Sequence, residues 1–287
     1  MNVCNGICPI CQSELCAGYR SWHLLCLSCG YEKANLQPTI NLHLAHQLID
    51  EDARETGLRE LRISNFKKLL TSIKSLKRNK ARLLDVGCAH GWFLDTVRND
   101  FEVFGLEPDK NVFDVTSRRG LPVRMGYFPG ELDEGETFDV IVFNDVIEHI
   151  PDIKHVLASC HQRLNKDGLL VLNLPNSNGI FYRLSKIFCR LGYPSFFERL
   201  WQKDLPSPHL HYFNLANLID LLKNNGFDMK TKGGLSTLRL AGLYSRISYT
   251  GNLNVVSRIF VFLSVALFLP ILKILPSDIV YVVSMRK

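Results

Sequence analysis

The 287-residue chain is 46% hydrophobic with a formal net charge of +6, so it can bury a sizeable core, and disorder and a strongly basic nucleic-acid binder are both disfavoured. Nine cysteines is an odd number, and four fall in two C-x-x-C pairs, which argues against a secreted disulfide framework and for a reducing compartment. Met1 to Asn5 show no basic segment leading into an apolar run, so no signal peptide is read and the expected location is cytoplasmic.

Cys8-Pro9-Ile10-Cys11 and Cys26-Leu27-Ser28-Cys29 are separated by fourteen residues. Each C-x-x-C turn aims two thiolates at one point, and two such turns complete a tetrahedral sulfur site for a structural Zn2+. Cys8, Cys11, Cys26 and Cys29 are therefore the expected metal ligands, and residues 1–36 a small zinc ribbon. So short a module lacks an adequate core of its own, so metal binding supplies much of its folding free energy. Between the pairs, Tyr19 to Leu25 reads as a hairpin strand, with Cys16 a hairpin residue and His23 a surface histidine.

Residues 37–80 have the composition of a helical connector, with Leu42, Ala45, Leu48 and Ile49 followed by Leu58, Leu61, Phe66, Leu69, Leu70 and Ile73, and Gly57 as the expected break between two helices. The third region, 81–287, alternates strand and helix: strands near 82–86, 102–107, 122–125, 138–143 and 168–174, helices near 92–99, 109–119 and 152–164. Repeated units of this kind imply a parallel sheet with right-handed crossovers. The first strand breaks into Asp85-Val86-Gly87-Cys88-Ala89-His90-Gly91. There Gly87 permits the reversal, and Gly91 lets the next helix present free N–H groups to a nucleotide-like cofactor. Glu107, about twenty residues on, closes the second strand with a carboxylate suited to ribose hydroxyls.

Together with Phe138-Asp139-Val140-Ile141 running into Glu148-His149-Ile150-Pro151-Asp152, these segments resemble the class I S-adenosylmethionine (SAM)-dependent methyltransferases. Lys166 to Pro175 looks like the family's fifth strand, and Pro208-His209-Leu210-His211-Tyr212-Phe213 like a signature of one branch. The resemblance covers about residues 81 to 230. It implies a Rossmann-like α/β fold whose sheet is mostly parallel with an antiparallel last strand, here Asp278 to Lys287. It also implies SAM as cofactor, with the connector covering its pocket. Asp85, Gly87, Cys88, Ala89 and Gly91 would hold the methionine end, Glu107 the ribose, Tyr127 the adenine and Asn144 the closing side. Ala89 departs from the glycine the family often has there. Histidine suits proton removal from an acceptor hydroxyl at neutral pH, so His149 and His211 are the candidate catalytic residues, with His209 beside them.

Two stretches of the third region exceed the family pattern: an aromatic and cationic insertion at about 178–208, which in the family shapes the substrate site, and an apolar segment at about 253–275. No acid lies between Asp228 and Asp278, while lysines and arginines do. The uncharged run from Ile259 to Leu272 is about 21 Å long as a helix against about 30 Å of hydrocarbon, and the last strand must rejoin the sheet, so interfacial attachment to the inner face of the cell membrane fits better than spanning, with packing on the enzyme's own core or a second subunit as the alternative. The expected partners are thus a small-molecule or lipid-linked saccharide acceptor and a membrane surface. Ribbon and branch together resemble enzymes of bacterial surface-polysaccharide biosynthesis; a quinone-type O-methyltransferase, an RNA methyltransferase and a non-catalytic SAM-binding scaffold are the alternatives.

Overall fold

The computed structural model describes residues 4–38, 51–77, 80–239, 243–244, 247, 254–272 and 274–287. Leu42, Ala45, Leu48 and Ile49 of the connector lie outside them. The chain opens with four short antiparallel strands, β1 (Cys4–Ile7), β2 (Glu14–Ala17), β3 (His23–Cys26) and β4 (Glu32–Ala34). A helix, α1 (Glu51–Lys74), leads into alternating strands and helices: β5 (Arg82–Val86), α2 (Trp92–Val97), β6 (Glu102–Glu107), α3 (Lys110–Arg118), β7 (Val123–Met125), β8 (Phe138–Asn144), α4 (Ile153–Arg163) and β9 (Leu164–Pro175). After β9 come α5 (Ile180–Arg190), α6 (Ser195–Leu200), β10 (His211–Tyr212), α7 (Leu215–Asn224), β11 (Phe227–Leu235), α8 (Val255–Leu272) and β12 (Ile279–Arg286).

Seven strands form one sheet in the order β11-β12-β9-β8-β5-β6-β7, parallel throughout except for β12, which runs antiparallel to both neighbours. This is the Rossmann-like architecture expected of class I methyltransferases. The central strands are apolar on both faces because helices cover both. Leu83, Val140, Val142 and Val171 meet Phe66, Leu69, Ile73, Phe93 and Val97 from α1 and α2. Their sequence neighbours Leu84, Ile141, Phe143 and Leu172 point the other way, toward Val156, Leu157, Leu218 and Leu222 of α4 and α7.

Gly57 does not divide the connector: α1 runs unbroken through it. A helix-interior glycine costs only about 1 kcal/mol, and the burial of Leu61, Phe66, Leu69 and Ile73 outweighs that. The hairpin strand begins at His23 rather than Tyr19. His23 is no surface histidine; it is fully buried, accepts from Tyr19 N through Nδ1 at 3.1 Å and donates from Nε2 to Glu32 Oε2 at 2.9 Å. Gly18 is required beside it, since a Cβ there would lie 2.0 Å from Nδ1. Cys16, in β2, is joined by a disulfide to its register partner Cys4.

The ribbon is not a separate bead. β4 pairs with β10, His211 opposite Lys33 and Tyr212 opposite Glu32, so the ribbon sheet continues into the catalytic region. The insertion also turns toward the ribbon. Tyr182, Phe197 and Trp201 are buried against Trp22 and His23, and Tyr182 stacks on Tyr212 with ring centroids 4.2 Å apart. Beneath them lies Glu32, which accepts from His23, from Tyr182 Oη at 2.7 Å and from Lys186. Burial pushes the Glu32 carboxyl up, but His23 and Lys186 outweigh it and hold it below the usual range. The insertion's cations and rings thus clamp the ribbon. Trp201→Ala is expected to destabilise the fold by about 3–5 kcal/mol, measured by denaturant unfolding, because it empties the centre of this joint.

Candidate donor-binding site

The turn after β5 is built by close approach. Gly87 has φ 69°, and a Cβ there would lie 2.7 Å from Val146 Cγ2; Gly91 has φ 71°, with its Cβ position 2.4 Å from Leu121 Cδ1. Neither position admits a side chain, and the turn sits at the carboxyl edge of the sheet, where Cys88 N donates to Leu106 O and Gly91 N to Cys88 O, each at 2.9 Å. Glu107, at the end of β6, ties this turn to its own strand: Oε2 accepts from Ala89 N and Oε1 from Asp109 N, each at 2.8 Å. On its far side Ala89 O accepts from Thr116 Oγ1 at 2.8 Å. Ala89 itself sits at φ 45°, the left-handed conformation that the family's glycine adopts freely. These bonds hold it there despite the methyl group.

Cys88 turns its side chain away from the turn's open side. Its thiol is buried over Gly105, with burial pushing its pKa up, so the side chain faces the core. Asp85 is fully buried, and Asn144 Nδ2 donates to its Oδ1 at 3.1 Å. Burial, reinforced by the charge of Glu107 and opposed by the Asn144 bond, raises the Asp85 carboxyl to about 8. Tyr127 lies on the loop after β7, which Gly126 N anchors to Glu107 O at 3.0 Å. It is 54% exposed.

Beside Asn144, under α1, lies a cavity of about 140 Å3 walled by Leu58, Arg62, Asn65, Asp145 and Asn173 among others. The connector therefore roofs the carboxyl ends of β8 and β9. A larger cavity of about 280 Å3, between β6, β7 and Glu136, touches none of Asp85, Gly87, Ala89 or Asn144. Past Asp145, a single 3-10 turn (Ile147–His149) carries His149, whose Nδ1 donates to Pro208 O at 2.9 Å and whose ring lies 4.7 Å from that of His209. His211 is not placed for proton transfer. Its Nδ1 is paired with Tyr31 Oη, at 2.5 Å, and its Nε2 with Ile150 O, at 2.9 Å, while burial lowers its pKa to about 4. It fastens the ribbon to the loop after β8.

Asn173, Arg62 and Glu148 did not emerge from the sequence as site residues. Asn173 had a signal, a lone amide within the apolar run Leu169 to Leu174. Arg62, 83 positions before Asp145, had none; only the fold brings its guanidinium to 3.6 Å from that carboxylate. In the ribbon, Cys8, Cys11, Cys26 and Cys29 each bring Sγ within 4.8 Å of the others, with Cys8–Cys29 at 3.6 Å and Cys11–Cys26 at 3.4 Å. A tetrahedral zinc with bonds of about 2.3 Å requires sulfurs roughly 3.8 Å apart, so the donor set fits. Asn214 and Asn217 brace it by donating to Cys29 O.

Fold and turn together define a nucleotide-cofactor-binding α/β protein of the class I methyltransferase type. A family profile described as a methyltransferase domain matches residues 55–232, and the chain belongs to that family. The ubiquinone biosynthesis O-methyltransferase of Bos taurus mitochondria is 26% identical over 215 residues, 68% of this chain and 56% of that protein. The protein of the same name from Rhizobium etli is 31% identical over 96 residues, 31% of this chain and 39% of its own. The chain thus spans about half the length of the curated relatives it matches, or less. Among solved structures, the cyclopropane synthase MmaA2 of Mycobacterium tuberculosis shares the fold with a TM-score of 0.58 at 18% identity, covering 88% of this chain and all of that one. A SAM-dependent methyltransferase from Thermotoga maritima gives 0.55 at 17%, covering 85% and all of that chain.

The raised Asp85 pKa has a measurable consequence. A carboxyl held up to about 8 contributes stability below its unfolded value near 4 and loses it as pH rises toward 8. A cationic ligand end beside it reverses the preference. Binding of SAM at pH 7 is therefore expected to release close to one proton, read by calorimetry in buffers of different ionisation enthalpy, and Asp85→Asn to abolish the release. Ala89→Gly is expected to raise stability by up to about 1 kcal/mol in thermal unfolding, because it removes the left-handed penalty.

Proposed function

We propose that the chain transfers the methyl group of SAM to a hydroxyl oxygen of an amphiphilic acceptor. The carrying observation is the Glu107-braced turn together with the cavity under α1, linked by the hydrogen bonds between Asp85 and Asn144 and between Asn144 and Asn173 in the cavity wall. In this reading Glu107 and the glycine turn bind the donor, and Asn144 closes its side. The loop bearing His149 takes charge of the acceptor proton. The oxygen attacks in line, an O–CH3 bond forms, the S–CH3 bond breaks, and S-adenosylhomocysteine leaves as a neutral thioether. Alignment alone supplies much of the acceleration for so good a leaving group.

The curated relatives carry O-methyltransferase and ubiquinone biosynthesis in their names, which supports a quinone-type acceptor over the surface-saccharide one. A lipid-linked saccharide stays as second reading because of the ribbon, whose four cysteines we assign to structural zinc. That ion leaves no ligand position open and so takes no part in the chemistry. We further propose that the protein works in the cytoplasm, peripheral on the membrane. Among the described residues no helix is long and apolar enough to cross a membrane. α8, however, leaves Val256, Phe260, Leu263 and Leu267 well exposed, an arrangement suited to lying in a head-group layer.

The test is transfer of radiolabelled methyl from SAM into fractions of a lysate. Label in the organic-extractable quinone-precursor fraction is the expected result. Label in lipid-linked glycan selects the second reading, and label confined to RNA or to no fraction overturns both.

A further inference from the structure

One polar atom beside the cavity under α1 has no assigned work. Asn173 stands in β9 between Leu172 and Leu174, an amide within a buried and otherwise apolar run, and it forms part of the cavity wall. Its side-chain oxygen, Oδ1, is buried without a hydrogen-bond partner. A folded interior rarely leaves an amide oxygen so, because desolvating it without a replacement bond is costly, and a leucine in its place would carry no such penalty. Two other polar side chains of the wall are engaged. Asn65 Nδ2 donates to Ser236 O at 2.9 Å while its Oδ1 accepts from Ser236 N at 3.0 Å, and Arg62 faces Asp145 at 3.6 Å.

The direction of the Asn173 amide is set from the donor side. Asn144 Nδ2 donates to Asp85 Oδ1 at 3.1 Å, which leaves Asn144 Oδ1 to accept from Asn173 Nδ2, at 3.5 Å, across the register pair of β8 and β9. With its nitrogen end committed to Asn144, the end of Asn173 left over is the oxygen, which only accepts. The backbone beneath is held on both sides, in register with Asn144 and with Tyr281, and its carbonyl accepts from Asp145 N at 2.9 Å. What the site lacks is a hydrogen-bond donor. The cavity, about 140 Å3, is also walled by Leu58, Leu61, Phe66 and Ile279, so an O–H group on an apolar body meets both requirements.

We infer that Asn173 Oδ1 accepts a hydrogen bond from the hydroxyl of the acceptor and so distinguishes the unmethylated acceptor from its methyl ether. Only the identity of that hydroxyl as the one methylated rests on the proposed reaction; its binding rests on the cavity and the unpaired oxygen. A hydroxyl gripped through its hydrogen keeps its oxygen lone pairs for the methyl carbon, and a central strand of the sheet holds it in one place. Once the proton has left and the O–CH3 bond has formed, the ether oxygen has nothing to donate, and two acceptors face each other across the contact. The product is therefore held more weakly than the substrate, which makes Asn173 a specificity-determining residue that favours product release.

The experiment titrates the full-length protein, saturated with S-adenosylhomocysteine, with phenol and with anisole, which carry O–H and O–CH3 on the same ring, and reads each affinity by NMR. Phenol is expected to bind tighter by about tenfold or more. Asn173→Leu and Asn173→Ala are each expected to remove that preference while retaining S-adenosylhomocysteine binding. Equal affinity of the wild-type protein for the two probes, or no binding of either, overturns the inference with no variant needed. So does a preference for phenol that survives in either variant. A preference that depends on Asn173 in a protein that transfers methyl to no lysate fraction would instead count against the proposed reaction and leave the hydroxyl site standing.

Discussion

The Glu107 carboxylate is the constraint on which the donor site depends. A turn that must expose its backbone to a ligand has lost the pairings that would otherwise hold it, and its N–H groups need partners of their own. Glu107 supplies one to Ala89 and another to Asp109, at equal distances, so one side chain fixes the end of β5 relative to the end of β6. That brace lets Ala89 keep a left-handed backbone with a methyl group, and it places two carboxyls at one sheet edge. The second, Asp85, is consequently held high, by burial first and by the charge of Glu107 after it. A site of this kind is preorganised for a ligand with a positive end, because the ligand supplies the charge that the fold withholds.

The loop after β8 is organised by a different device, the joint between ribbon and catalytic sheet. β4 adds its edge to β10, and Tyr31 and His211 pass a hydrogen-bonded link from the ribbon to Ile150, one residue beyond His149. Asn214 and Asn217 bind the knuckle at Cys29 to the start of α7. The buried Glu32, satisfied by a histidine, a tyrosine and a lysine from two regions of the chain, fixes the register of that joint. Such a group is costly unless every partner is in place, so it specifies one docking geometry rather than a range. The ribbon thereby becomes part of the wall behind His149 and His209.

Much of this was legible in the chain itself. Six strands of the central sheet fall within a residue or two of their expected places, apart from the start of β9, because each is a short apolar run bounded by glycine, proline or acid, whereas β11, polar along most of its length, was not anticipated. The Cys pairs, the glycine turn and Glu107 were legible because their chemistry is local: spacing along the chain already sets their geometry. Gly57 misled because propensity is a weak term beside burial, and His23 because nothing near it in sequence announces Glu32, Phe197 or Trp201 as its surroundings.

By itself, then, the sequence determined the class I α/β sheet, the cofactor edge and the four-cysteine module, all written in contiguous residues with fixed spacing. Only the tertiary structure decided what the histidines do. His149, His209 and His211 lie within one short stretch or another of similar composition, yet one is tied off against the ribbon and two converge on Glu148. That difference depends on which partners meet each ring nitrogen after Tyr31, Pro208 and Gln202 have been brought together from distant parts of the chain. Long-range burial and hydrogen bonding set it, and no local pattern encodes it.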